Sequence, residues 1–169
     1  AGRRLPFEVT RSGLGSDALA SNPHIRTIVS PYDDRQELVA MPAIPLDIAL
    51  LHLNRSDEFG SAQCLGPDLY FDDLFALAAT HTIVSVEEII ATDRLLEDAA
   101  PATVALNRTM VDHVVAAPGG AGFTSCVPDY PRDERAQREY VESAASSGAW
   151  ASWLKRELDG DRDASAGHP

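Results

Sequence analysis

A nearly continuous apolar stretch runs from Leu46 to Leu53 and is interrupted only by Asp47 and His52. Short hydrophobic runs of this kind are typical of strands that are buried on both faces, as in a parallel sheet. The polar segment 54–60 follows directly, and an acidic pair, Asp72-Asp73, opens an apolar helix downstream. This order predicts a strand, a loop and a helix, with the loop at the carboxyl end of the strand, where open α/β sheets bind ligands.

Further elements are predicted on both sides of this unit. Residues 1–24 contain several turn-forming residues and are predicted to be mostly loop. The charged, alanine-rich stretch 132–158 predicts helix, with a break at Ser147-Gly148. Short β-prone segments predict strands at 26–30, 37–41, 82–86, 103–106 and 113–117.

The chain has 169 residues, a length that suits one domain. Alternating strands and helices predict an α/β fold, with an open, mainly parallel, Rossmann-like sheet flanked by helices. The domain is expected to occupy residues 1–158. The small, polar tail 159–169 is predicted to be disordered.

Charge and cysteine usage limit the classes of partner. The formal net charge of −12 argues against nucleic acid, which needs a basic surface. No apolar run reaches the ~18 residues that span a bilayer, so no membrane partner is expected. The two cysteines, Cys64 and Cys126, and the five histidines show no metal-ligand spacing, and no metal site is predicted. Two cysteines so far apart favour reduced thiols and a cytoplasmic location.

Three residues at the carboxyl end of the predicted strand, Asn54, Asp57 and Gly60, are candidates for ligand binding. The side-chain amide of Asn54 has both donors and an acceptor with which to orient a carbonyl or an amide of a ligand. The alternative is a loop that caps its own backbone, as Asn and Asp side chains routinely do. Both interpretations stay open at this point.

The segment 118–122, with Gly119 and Gly120 at its centre, also follows a predicted strand. Glycines let backbone N–H groups approach an anion, as an oxyanion hole requires, whereas the alternative is a tight turn. Glu87 follows another predicted strand and is a candidate base, with a pKa raised by burial or by Glu88. The alternative for Glu87 is the acidic start of a helix.

A glycine-containing loop at residues 12–16 offers amides that could cradle phosphates. The loop lacks the lysine of a phosphate-binding P-loop and does not follow a strong strand. A simple surface loop is the alternative.

Several motifs are shared with a known family. They are Leu38 to Ala43, His52-Leu53-Asn54, Asp57, Gly60 to Gln63, Gly66, Tyr70 to Leu74, Ser85 to Ile89, Val111-Asp112 and Ala117 to Ala121. With these motifs the chain resembles the alpha subunit of class I CoA-transferases. The strings Phe123 to Cys126, Pro128 to Tyr130 and Arg132 to Glu134 are similar to a narrower, actinobacterial branch, whose members hydrolyse a steroid-derived ring as its CoA thioester.

The resemblance implies a coenzyme A thioester as substrate, with no covalently bound cofactor. It implies that coenzyme A contacts Asn54, Asp57, Gly60, Gly119 and Gly120. A beta subunit and an upstream segment of the alpha subunit are the implied partners, and the sheet is expected to be incomplete without that segment.

The family's catalytic glutamate lies outside the matched region, so no nucleophile can be carried over and the chain is expected to be inactive alone. Glu87 remains the one catalytic candidate. The family usually has His where Gly122 stands here, so no role for an imidazole is implied at that position. The hydrolase branch is the implied function. The alternatives are a true CoA-transferase, which moves coenzyme A between carboxylic acids, and a non-catalytic partner-binding chain.

Overall fold

The computed structural model describes residues 5–67, 69–97 and 99–158. In this part of the chain the strands are β1 (Phe7–Thr10), β2 (Arg26–Val29), β3 (Glu37–Pro42), β4 (Leu46–Ser56), β5 (Ala62–Gln63), β6 (Ala79–Ile89), β7 (Val104–Leu106) and β8 (His113–Ala116). The helices are α1 (Asp17–Ser21), α2 (Asp72–Ala78), α3 (Arg94–Glu97), α4 (Glu134–Ser143) and α5 (Ser147–Leu158). The predicted disordered tail, 159–169, lies outside the described residues.

The main sheet has five strands in the order β7-β5-β4-β6-β8. β4, β6 and β8 are parallel, and β5 and β7 are antiparallel to their neighbours. The predicted α/β fold with a mainly parallel sheet is therefore confirmed. The antiparallel pair has a physical reason: β5 follows β4 after only a short loop, whereas a parallel partner needs a long crossover such as the one that contains α2.

A second, antiparallel sheet has the order β1-β3-β2. β2 and β3 correspond to the strands predicted at 26–30 and 37–41. Residues 1–24 were predicted to be mostly loop, and neither β1 nor α1, which form within them, was predicted. β1 pairs with β3 in a register that joins Phe7 to Pro42, and so distant a partner leaves no local signal.

The core lies on one face of the main sheet. β4 and β6 pair in register, and alternate residues of each point to the same face. Ala49, Leu51 and Leu53 from β4 meet Val84 and Val86 from β6, all of them buried. Ala62, Ala76 and Leu106 complete this cluster.

The opposite face of β4 is open at its amino-terminal half. Ile48 is 56% exposed and Leu50 is 75% exposed. The prediction of a strand buried on both faces is therefore wrong for this half within the described residues. Further along the same face the side chains of His52 and Asn54 are covered, and they form the polar cluster described below.

The long helical stretch is divided into two helices as predicted, with α4 ending at Ser143 and α5 beginning at Ser147. The predicted position of the break is wrong: it lies at residues 144–146, and Ser147 and Gly148 are the first residues of α5. Tyr140 meets the rings of Phe123, Trp150 and Trp153 at centroid distances of 5.1, 5.9 and 5.1 Å. The two indoles thus pack within this chain, next to the segment that follows β8. Within the described residues, none of the helices has the length and apolar character that crossing a membrane would take.

The core predicts a contrast between two leucines. Leu106 is 0% exposed, whereas Leu96 is 58% exposed. We expect Leu106→Ala to lower the free energy of unfolding by about 2–5 kcal/mol, because it removes buried methyl groups and leaves a cavity. Leu96→Ala serves as the control, with a change of about 0.5 kcal/mol or less. Urea denaturation followed by circular dichroism measures both, and equal losses would contradict this assignment of the core.

Candidate functional site

A polar cluster lies at the carboxyl ends of β4 and β6, on the face opposite the core. His52 and Asn54 alternate along β4, and Ser85 and Glu87 alternate along β6. The Cα atoms of His52 and Ser85 are register partners, so the four side chains are neighbours on one face. The segment that follows β8, residues 117–130, covers them through the contacts given below.

The imidazole of His52 bridges the two strands. Its Nδ1 lies 2.9 Å from Ser85 Oγ, and its Nε2 lies 2.6 Å from Glu87 Oε1. The Ser85 hydroxyl donates to the carbonyl of Leu51 at 3.1 Å. Since an ionised carboxylate can only accept, Nε2 is the donor to Glu87, and the ring is held between the two strands.

Glu87 is the acceptor at the centre of the cluster. The Tyr130 hydroxyl donates to Oε1 at 2.6 Å, and the Gly119 N–H donates to Oε2 at 2.6 Å. Burial raises the pKa of Glu87, but the hydrogen bonds from Tyr130, Gly119 and His52 outweigh it, and the pKa is lowered. The expected rise in pKa is therefore wrong. Glu87 also lies inside a strand, so the alternative of an acidic helix start is wrong as well.

The glycine-containing segment forms a tight turn above this carboxylate. The Gly120 and Gly122 N–H groups donate to the carbonyls of Ala117 and Gly119, at 2.9 and 3.0 Å. The Ala121 N–H donates to the Tyr130 hydroxyl at 3.0 Å. With Gly119 bound to Glu87, four successive amides have acceptors within the protein in this conformation. Binding of coenzyme A by Gly119 and Gly120 stays a prediction.

The turn packs directly on the imidazole. A Cβ at Gly120 would lie 2.6 Å from His52 Cε1 and 2.7 Å from the Ala117 carbonyl oxygen. Only glycine fits there without displacing the ring or the backbone. Gly120 therefore sets how closely the turn approaches the strands.

Asn54 ties two loops together. It is 3% exposed; its Oδ1 accepts from the Leu65 N–H at 2.7 Å. Its Nδ2 donates to Asp129 Oδ2 at 2.7 Å and to the Val127 carbonyl at 3.0 Å. In this arrangement the Asn54 amide forms its hydrogen bonds within the protein. Its contact with coenzyme A stays a prediction.

Asp57 and Gly60 lie in the loop between β4 and β5, apart from the hydrogen bonds of the cluster. Asp57 is 1% exposed; its carboxylate accepts from the N–H groups of Phe59 and Ser61 and from the Thr92 hydroxyl. A Cβ at Gly60 would lie 2.8 Å from Val111 Cβ. This is the self-capping loop that the sequence left open as an alternative. Binding of coenzyme A at this loop stays a prediction.

Roles for His52, Ser85, Asp129 and Tyr130 were not predicted from the sequence. Alternating polar residues at the ends of two apolar strands were the signal for His52 and Ser85. Tyr130 is 43 positions from Glu87, and nothing local indicates that the two side chains meet.

His52, Glu87 and Cys126 offer ligand atoms within 4.8 Å of one another, a geometry that could hold a metal ion. All three groups are hydrogen-bonded: the Cys126 sulfur accepts from Asn54 Nδ2 at 3.3 Å. Burial, with the charges of Glu87 and Asp129, raises the pKa of the Cys126 thiol to about 11. The cluster as it stands is a hydrogen-bonded network with a protonated thiol.

This thiol should be slow to react. At pH 8 a thiol with a pKa of about 11 is ionised to about one part in a thousand, and the thiolate is the nucleophile. We expect iodoacetamide to label Cys126 about 100-fold more slowly in the folded protein than in the urea-unfolded chain. Peptide mass spectrometry measures both rates. Similar rates would show an ionised, accessible thiol and would contradict the geometry.

Known proteins match the chain in sequence. A family model, Coenzyme A transferase, matches residues 1–117. The cholesterol ring-cleaving hydrolase IpdA subunit of Rhodococcus jostii is 45% identical over 168 residues, which cover 96% of this chain and 57% of that protein. The subunit of the same name from Mycobacterium tuberculosis is 44% identical over 165 residues, which cover 95% of this chain and 56% of that protein. The chain spans about half the length of these curated relatives.

A solved structure matches the fold. Glutaconate coenzyme A-transferase from Acidaminococcus fermentans aligns with a TM-score of 0.78 at 24% identity, over 90% of this chain and 52% of that one. The mainly parallel sheet with its flanking helices is thus a fold known from CoA-transferases. The family model covers more than half of the chain and the identities extend over nearly all of it: this chain belongs to the coenzyme A transferase family.

Proposed function

We propose that the chain is part of the alpha subunit of a heteromeric enzyme that opens a steroid-derived ring carried as a CoA thioester. The observation that carries the proposal is the similarity over nearly the whole chain to two subunits of a cholesterol ring-cleaving hydrolase. The implied substrate is an acyl-CoA, and no covalently bound cofactor is proposed. Two free cysteines agree with a cytoplasmic location.

The thioester is proposed to bind at the carboxyl ends of β4, β6 and β8. Parallel strands place their following loops at this edge, where open α/β sheets bind ligands. Gly119 and Gly120 are exposed there, and the loop 54–60 follows the neighbouring strand. Both loops belong to the motifs that carry the family resemblance.

The chain is proposed to shape the site, and the reacting carboxylate is proposed to come from elsewhere in the enzyme. Glu87 has donors at both oxygens, and its lowered pKa makes it a weak base. Cys126 is protonated and buried, which makes it a poor nucleophile. The described cluster therefore holds groups in position and offers no activated nucleophile of its own.

The open apolar face supports the proposal of further polypeptide in the enzyme. Ile48 and Leu50 are exposed on the same face of β4 as the polar cluster. Leu74 and Phe75 are exposed at 54% and 49% on α2. Ala76 of α2 packs in the core, so this apolar surface lies on both sides of the sheet, and exposed apolar surface of this kind marks an interaction site. We assign it to an upstream alpha-subunit segment and a beta subunit, in line with the greater length of the relatives.

Labelled water tests whether water is the acyl acceptor of the proposed reaction. The native assembly is incubated in H₂¹⁸O with the CoA thioester of a steroid-derived ring compound. We expect one ¹⁸O atom in the new carboxylate, because the oxygen of water joins the carbonyl carbon at which the ring opens. This chain alone should release no product, whereas turnover in the usual range of about 1–1000 s⁻¹ by the chain alone would contradict the proposed division of roles.

The same assay, repeated with an added carboxylic acid, distinguishes the alternative functions. Formation of a new CoA thioester from an added carboxylic acid, with no ring opening, would instead favour a true CoA-transferase, since the family contains such enzymes. Neither product in the native assembly would favour a non-catalytic partner-binding chain.

The location of the site is tested with a matched pair of glycines. Gly119 has φ +75° and Gly15 has φ +73°, and a Cβ at either position meets nothing within 4 Å. Both Gly→Val changes therefore carry a similar backbone strain. We expect Gly119→Val to weaken acyl-CoA binding by the native assembly about tenfold or more, and Gly15→Val to leave it unchanged.

Isothermal titration calorimetry measures the two affinities, with the melting temperature of each variant as a check on folding. Equal affinities in wild type and Gly119→Val would remove the 118–122 segment from the site. A loss confined to Gly15→Val would move the phosphate contacts to the loop at residues 12–16.

A further inference from the structure

We propose that Glu87 and Tyr130 are positioning residues, which hold the segment 118–122 in the conformation that receives the thioester. The inference rests on the proposed function, because it assigns two further residues to the same site. It adds what the sequence motifs do not show: a side-chain connection between β6 and a turn more than thirty residues further along the chain.

The connection consists of two hydrogen bonds into the turn that end at one carboxylate. The Gly119 N–H donates directly to Glu87 Oε2 at 2.6 Å. The Ala121 N–H donates to the Tyr130 hydroxyl at 3.0 Å, and that hydroxyl donates to Glu87 Oε1 at 2.6 Å. Tyr130 is thus acceptor and donor at once, and its hydroxyl lies between the turn and the carboxylate.

The charge of Glu87 makes these bonds strong. A carboxylate that accepts from N–H and O–H donors forms shorter and stronger hydrogen bonds than a neutral acceptor does. The Glu87 side chain is 11% exposed, so water competes little for its oxygens. His52 Nε2, 2.6 Å from Oε1, fixes the carboxylate from the other side.

The internal shape of the turn comes from its own backbone hydrogen bonds, whereas Glu87 and Tyr130 fix its orientation on the sheet. Its own hydrogen bonds, from Gly120 to Ala117 and from Gly122 to Gly119, give it a local shape. The Ala117 N–H donates to the Val86 carbonyl at 2.8 Å, which joins the start of the turn to β6. The side-chain bonds from Glu87 and Tyr130 set the direction in which this preformed turn leans over the strand ends.

The far side of the segment is anchored independently. The Phe123 ring packs on Tyr140 at 5.1 Å, and the Phe123 carbonyl accepts from the Asp133 N–H at 3.1 Å. Loss of the Glu87 and Tyr130 bonds should therefore loosen residues 118–122 and leave α4 as it is. This difference between neighbouring segments separates positioning from a general loss of stability.

The test uses Tyr130→Phe and Glu87→Gln in the native assembly. Tyr130→Phe keeps the ring and removes the hydroxyl that joins Ala121 to the carboxylate. Glu87→Gln keeps the length of the side chain and removes its charge and one acceptor oxygen. Tyr32→Phe is the matched control, since Tyr32 is 78% exposed.

Two measurements are made on each variant. Hydrogen exchange followed by mass spectrometry should show at least about tenfold faster exchange in the peptide that covers residues 117–122, with α4 unchanged. Steady-state kinetics on the acyl-CoA substrate should show a fall in kcat of about 10- to 100-fold, as expected when a reacting group is held about an ångström out of place. KM should change by less than about threefold, because the remote parts of coenzyme A still bind.

The outcomes separate the positioning role from the proposed function. Wild-type exchange in residues 117–122 of both variants overturns the role. Faster exchange with unchanged kcat and KM also overturns it, because the conformation of the turn would then not matter to the reaction. If Tyr130→Phe fails to fold, Glu87→Gln decides. If the wild-type assembly opens the ring, the proposed function stands, whichever result the two variants give. If the wild-type assembly is inactive, the proposed function itself is overturned.

Discussion

The in-register parallel pairing of β4 and β6 is the constraint on which the rest of the structure depends. Because both strands alternate with a period of two, one pairing decides two faces at once. Leu51 and Val84 enter the core, while His52 and Ser85 come together on the other side. A slip of one residue would exchange the two sets, which would bury the polar side chains and expose the apolar ones. The core and the candidate site are therefore held by the same backbone hydrogen bonds.

A buried carboxylate then organises what lies above the sheet. Glu87 loses most of its water, and this loss is offset by donors from a second strand, a turn and a tyrosine. The arrangement explains why its pKa falls although it is buried. The same saturation limits its chemistry, because an oxygen that already accepts strong hydrogen bonds has little basicity left for a substrate. Within the described residues, the hydrogen bonds that hold Glu87 in place are the same ones that make it a weak base.

The exposed apolar part of β4 lies next to the polar cluster. Ile48 and Leu50 continue the same row of β4 that leads to His52 and Asn54. A covering polypeptide would remove this apolar surface from water and would also enclose the neighbouring polar cluster. Association and formation of the site are therefore coupled in the proposed assembly: the hydrophobic effect that stabilises the contact would also lower the local dielectric around Glu87.

The amino-acid sequence by itself determined the fold class and most of the elements. Apolar runs and β-branched segments act locally, so the central strands and the helical stretch 132–158 could be predicted from them. The family could also be recognised from the sequence, because its motifs are short strings of neighbouring residues. β1 escaped prediction because its partner, β3, is distant in the chain.

Only the tertiary structure decided which candidate residues join the polar cluster and which stabilise their own loop. Asn54 and Asp57 both follow the same apolar run, yet one reaches Asp129 and the other caps its own loop. Glu87 has an ordinary sequence context, and its lowered pKa arises from Tyr130 and Gly119, which arrive from a later segment. The physical reason is that hydrogen bonding, burial and charge act through space over a few ångströms, and a linear pattern carries no record of which distant groups will share that space.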